Sequence, residues 1–236
     1  MNSSWRREIL AVFRKELLSE LRSRSGLVTS VLFGLCAVIT IAFASFNTKL
    51  NGDIAAGLLW VTILFASVLA LPRTFLLEEE QGTGDLLRQF ARPHAVFWGK
   101  ALFNLLLTTA TAAILTSLFL LFTGKPVSIP WLLVLNLLGG CAALTGAVTL
   151  CGALVARATN RATLAGAVSI PLLMPVLGMG VAGLRVALST GMFEGPSNRV
   201  AEEFLRSGAV WSVGLVGYAV ASLALGPWLF AAVWKS

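Results

Sequence analysis

Three consecutive carboxylates, Glu78, Glu79 and Glu80, run into Gly82-Thr83-Gly84 and then Asp85-Leu86-Leu87. The chemistry they offer is ion pairing with a basic surface. Asp85 has the short acidic side chain that caps a helix start, and Leu86, Leu87 and Phe90 of that short helix need something to bury against. Arg92-Pro93 ends it, because proline lacks the N–H a helix needs and restricts the residue before it. The segment fits a docking element for a soluble partner, and by composition alone it fits an ordinary solvated loop equally well. Catalytic readings have less to stand on. The one histidine, His94, cannot make a multi-histidine metal site, and Cys36, Cys141 and Cys151 all fall inside apolar runs, where they read as packing residues. Gly82 to Asp85 follows no strand and lacks the GxxxxGK[ST] spacing of a phosphate-binding loop, and neither H-E-x-x-H nor C-x-x-C-H occurs. The chain therefore reads as a non-catalytic protein with no covalently bound cofactor.

The elements around this segment are set by composition. The chain has 236 residues, 57% hydrophobic and 12% charged, with a mean hydropathy of +0.84. Soluble domains carry roughly 25% charged residues, so this balance places the chain in a bilayer. The net charge of +7 reads there as Lys and Arg gathered in inner loops, not as nucleic-acid binding.

Spanning the hydrocarbon as helix takes about 20 apolar residues. Six runs qualify: 26–46, 54–71, 101–123, 131–156, 163–184 and 209–234. None shows the two-residue alternation of a barrel strand, so the expectation is an all-α membrane protein, one permease domain over 1–236. Ahead of the spans, 3–25 places Trp5, Ile9, Phe13 and Leu17 four apart, with Arg6, Arg7, Arg14, Lys15 and Arg22 largely off that stripe. This pattern predicts an amphipathic interfacial helix with its bases at anionic membrane lipids.

Orientation follows from the bases. With the N-terminus inside, inner segments hold 13 of the 18 Lys and Arg; the outer five are Lys49, Lys125, Arg185, Arg199 and Arg206. Both termini and the 72–100 segment are therefore expected in the cytoplasm. Trp98, Trp131, Trp211, Trp228 and Trp234 fall near span ends like an aromatic belt, whereas Trp60 is mid-span and should pack inside. Pro171 and Pro175 in the fifth span free two backbone carbonyls on one face, so that span should be bent and buried against neighbours. The bend fits either a substrate path or plain packing. Gly139, Gly140, Ala143, Gly146 and Ala147 allow close helix approach in the fourth span. A further short interfacial helix is expected near 198–206. No ionisable residue lies near the middle of a span, which disfavours a secondary carrier.

Six spans, an interfacial helix and an inner docking loop after span two describe half the membrane part of an ABC exporter. At the residue level the chain resembles the haem exporter protein B (CcmB) family. The likeness is carried by Gly57-Leu58-Leu59-Trp60-Val61, Leu69-Ala70-Leu71, Arg73, Phe75, Glu78 to Gly82, Asp85 and Lys100, and by Ile170-Pro171-Leu172-Leu173-Met174-Pro175. Gly84 departs from it, standing where the family has an apolar residue. The resemblance implies the permease subunit of an ATP-driven complex of c-type cytochrome maturation in the bacterial inner membrane. Its implied partners are the ATPase subunit CcmA, which supplies ATP chemistry, CcmC, CcmD and the haem chaperone CcmE. Haem is the implied transported or handled ligand, and two copies of this chain would complete a twelve-span core. ATPase coupling is then expected at Phe75, Glu78, Glu79, Glu80, Gly82, Asp85, Leu86, Leu87 and Phe90 in the 72–100 loop. The architecture taken alone equally suits an ABC permease for a lipid, glycan or drug.

The orientation has a direct check. In a background without Cys36, Cys141 and Cys151, single cysteines at Thr48, Ser128 and Ser197 should react with an impermeant thiol reagent in intact cells. Cysteines at Gln81 and Thr159 should not, and labelling of Gln81 would reverse the assignment.

Overall fold

A computed structural model describes residues 2–46, 50–70, 92–156, 161–189 and 198–235. These residues form seven helices: α1 Asn2–Ser23, α2 Ser25–Ala44, α3 Gly52–Ala70, α4 Pro93–Thr123, α5 Pro130–Ala156, α6 Arg161–Leu188 and α7 Asn198–Lys235. No strand occurs among the described residues. The long apolar runs have no other choice, because within lipid each backbone N–H and C=O must be satisfied by the segment itself. Helices α2 to α7 are each long and apolar enough to cross a bilayer, and they match the six expected spans.

Local chemistry explains the ends. Arg92 is extended and Pro93 opens α4, where a missing N–H is harmless; the Ala95 and Val96 amides donate back to the Arg92 carbonyl. Gly124, at φ 62°, closes the same helix in the left-handed conformation that glycine adopts without strain. Helix α4 therefore starts eight residues before the expected span, so 93–100 is helix and not loop. At 31 residues it is roughly 46 Å long, more than the ~30 Å hydrocarbon layer needs. The short interfacial helix expected near 198–206 is not separate either. It is the first part of α7, whose 38 residues run unbroken.

Contacts at the two ends fix the alternation of the spans. At one end the Lys125 ammonium donates to the Leu50 carbonyl at 2.9 Å, and the Ser128 amide donates to the Ala187 carbonyl at 2.9 Å. The connections after α2, α4 and α6 thus share that end. At the other, Val12 of α1, Phe97 of α4 and Phe230 of α7 form one apolar cluster, and the Phe97 and Phe230 rings lie 5.8 Å apart. Both terminal helices meet there.

The core is organised around Trp60, which is fully buried, as its mid-span position requires. Its Nε1–H donates to Asn136 Oδ1 at 3.0 Å, Asn136 Nδ2 donates to Ser212 Oγ at 3.1 Å, and Ser212 donates to the Gly208 carbonyl at 2.9 Å. The indole is held between Gly140 of α5 and Gly180 of α6; a methyl group at Gly140 would overlap the ring, and one at Gly180 would lie 2.6 Å from it. The small residues of α5 do what their spacing promised: Gly139 faces Val216 and Gly146 faces Ser222. Trp131, Trp211 and Trp228 are exposed.

Gly140→Ala should lower the unfolding free energy by about 1–3 kcal/mol, the range for overpacking a filled core. Gly57→Ala, with open space around it, should stay within about 0.5 kcal/mol. Thermal unfolding in detergent checks both. An unchanged midpoint for Gly140→Ala would mean the indole has room to move.

Candidate functional site

The N-terminal helix carries its functional side chains on its inner face. Val12 and Glu16 are buried, and α1 lies along the first turns of α4. Contacts step forward together along both helices, with Glu8 near Arg92, Val12 against Gly99 and Glu16 on Lys100, so the two run side by side in the same sense. Gly99 permits that approach, since a methyl group there would lie 2.6 Å from Val12 Cβ and 3.0 Å from the Ile9 carbonyl oxygen.

The central contact is the ion pair between Lys100 Nζ and Glu16 Oε1, 2.8 Å long, with the lysine fully buried. Lys15 approaches the same oxygen at 3.2 Å. A buried ammonium without a carboxylate is costly, so each member fixes the position of the other. At the rim Arg92 and Glu8 lie 3.9 Å apart, a looser and more exposed pair. Past the far end of α1, Glu20 Oε1 accepts the Leu27 amide at 2.8 Å, capping α2 across the junction. Arg24 joins the helices at φ 53°, a left-handed conformation uncommon outside glycine. Carboxylates at three points along the inner side of α1 thus tie it to α4 and α2.

The apolar stripe is divided between two environments. Phe13 and Leu17 are partly buried against the central core and dock the helix onto its own protein, whereas Trp5 at its start is 40% exposed. The expected coupling residues Phe75, Glu78, Glu79, Glu80, Gly82, Asp85, Leu86, Leu87 and Phe90 lie outside the described residues. The segment that contains them joins the end of α3 at Ala70 to the start of α4, and so enters the chain directly at the α1 contact. His94 is exposed on the first turn of α4.

Pro171 and Pro175 both lie inside α6, which continues through them. The span packs against its neighbours as expected, through Leu173, Val176 and Leu184, while the prolines themselves are exposed beside Ile170 and Met174. Behind this face the Tyr218 hydroxyl donates to the Leu172 carbonyl at 2.8 Å, a cross-link from α7 to α6.

Sequence reasoning passed over several buried polar groups. Asn104 donates to Thr149 at 2.9 Å between α4 and α5, and Asn136 links Trp60 to Ser212. The signal available was an asparagine within an apolar run, which must find a partner in the bundle. Glu16 carried a clearer one, since it falls beside the apolar stripe of α1.

Comparison with known proteins covers almost the whole chain. A family profile described as CcmB protein matches residues 7–233. The chain is similar to a protein named heme exporter protein B from Bradyrhizobium diazoefficiens, 29% identical over 231 residues, 94% of this chain and 95% of that one. It is also similar to one of the same name from Rhodobacter capsulatus, 29% identical over 172 residues, 72% of this chain and 79% of that one.

The ion pair makes a testable demand. Lys100→Met or Glu16→Gln alone should destabilise the protein by about 3–5 kcal/mol, the loss typical when one member of a buried pair is removed. Glu16→Lys combined with Lys100→Glu should recover much of that stability. Thermal unfolding of the purified variants measures it, and equal losses in single and swapped proteins would show that the pairing itself contributes nothing.

Proposed function

The chain belongs to the CcmB family, and from that footing we propose that it is the membrane permease subunit of an ATP-driven complex that exports or handles haem in c-type cytochrome biogenesis. The observation that carries this reading is the family match over 7–233, joined by two relatives whose names state haem export. The sequence has no phosphate-binding loop of its own. Energy therefore comes from a separate ATPase subunit, and the remaining partners are the other membrane subunits and the haem chaperone implied by the resemblance.

The end that carries α1, the start of α4 and the last turns of α7 faces the cytoplasm in this reading, because thirteen of the 18 basic residues belong to segments on that side. The 71–91 segment is then the coupling element, its carboxylates steering a basic ATPase surface and Leu86, Leu87 and Phe90 serving as apolar anchors. Force applied to it enters α4 at Arg92. Lys100 lies two turns further on, so α1 is drawn along with the span through Glu16.

Leu87→Ala combined with Phe90→Ala should release the ATPase or uncouple its hydrolysis, because buried anchors often lose at least about 2 kcal/mol on truncation. Glu79→Gln should do less, and its effect should shrink in high salt. The measurements are ATPase copurification, the level of haem-loaded chaperone and the yield of mature c-type cytochromes. A double variant that keeps its ATPase and normal cytochromes would reduce the segment to a connector.

A further inference from the structure

Helix α1 has sorted its charges by side. Its three acids, Glu8, Glu16 and Glu20, all point toward the protein, where they meet Arg92, Lys100 and the Leu27 amide. On the opposite face Arg7, Leu10, Arg14, Leu18 and Leu21 follow one another at intervals of three or four, with Arg22 beside the last. That spacing draws a single stripe down one side of a helix. All six are exposed, the leucines heavily so, at 61% for Leu10, 54% for Leu18 and 58% for Leu21. The inner acids are engaged and leave the outer face uniformly basic.

We infer that this outer face of α1 is a binding surface for anionic phospholipids. Position is the first argument. Helix α2 begins at Ser25, directly after α1, and its membrane-crossing stretch starts at Gly26, so Leu21 and Arg22 lie only four or five residues before that stretch. Composition is the second. A stripe that interleaves guanidinium groups with exposed leucines suits the boundary layer of a bilayer, where the leucines enter acyl chains and arginine stems extend their heads to phosphates. An acidic soluble protein would match the bases but would leave the same leucines half in water. The residues doing this are not the stripe that periodicity first points to, whose Phe13 and Leu17 are turned inward. The inference holds whatever cargo the protein serves.

The test uses the full chain carrying Arg7→Gln, Arg14→Gln and Arg22→Gln, reconstituted in nanodiscs of equal parts phosphatidylglycerol and phosphatidylcholine. Lipid retained on the released protein is counted by native mass spectrometry. The unmodified chain should retain phosphatidylglycerol in preference, and the glutamine variant should lose that preference by at least about tenfold, given the strength of base-to-anionic-membrane attraction. Lysine at the same three positions should preserve it. Added inorganic phosphate should not displace the lipid. Thermal unfolding in detergent should be unchanged in both variants, since none of the three bases is buried. Equal retention by the glutamine variant would overturn the proposal. So would displacement by free phosphate, or loss of a copurifying acidic protein with lipid retention intact.

Discussion

The indole of Trp60 stands where α3, α5, α6 and α7 converge, and its single N–H begins the hydrogen-bond chain through Asn136 and Ser212. Inside a bilayer no water competes for such a donor, so leaving it unpaired would be expensive. Apolar packing cannot choose one arrangement of these helices over another, because lipid chains are as apolar as leucine. Shape and polar pairing have to make that choice. Gly140 and Gly180 give the ring a slot that fits only one way, and the amide of Asn136 sets its rotation. The register of four helices follows from this contact.

A second constraint operates at the end of the bundle. Lys100 is fully buried on α4, and Glu16 reaches it from α1. The pair converts an amphipathic helix that could have drifted along the membrane into a fixed strut against the third span. Its two sides divide the labour. The carboxylates, with Phe13 and Leu17, face the protein, and Arg7, Leu10, Arg14, Leu18 and Leu21 are exposed on the other side. Because α1 passes without a loop into α2, the strut links the third span to the first.

Much of this was legible from residue order, for identifiable reasons. The spans showed because a continuous apolar run near 20 residues has one solution in a membrane. Trp60 was read correctly as interior because it lies mid-run, away from the interfaces aromatic residues favour. The start of α4 was not legible: Lys100 looks like a loop residue until Glu16, 84 positions away, neutralises it. The stripe of α1 had the right period and the wrong neighbour, because periodicity marks a buried face without saying whether lipid or protein covers it. The prolines of α6 marked a packed span without saying which of its sides is covered. The span they interrupt packs against its neighbours through Leu173 and Val176, but the prolines themselves lie on its exposed side. The acidic segment at the centre of the sequence reading lies outside the described residues, so the functional weight placed on it still rests on pattern and family.

The long sequence separations of these contacts impose an order in time. Glu16 leaves the ribosome 84 residues ahead of Lys100, which at the ~5–20 residues per second of protein synthesis is a wait of roughly 4 to 17 s. Trp60 likewise precedes Asn136 by 76 residues, and Asn136 precedes Ser212 by 76 more. Glu16 and Trp60 are therefore synthesised before Lys100 and Asn136, the residues they pair with. The strut closes first, the indole gains its acceptor next, and the serine completes the chain only as the last span emerges. A chain cut short before residue 212 would lose most of α7 and leave Asn136 without its serine partner.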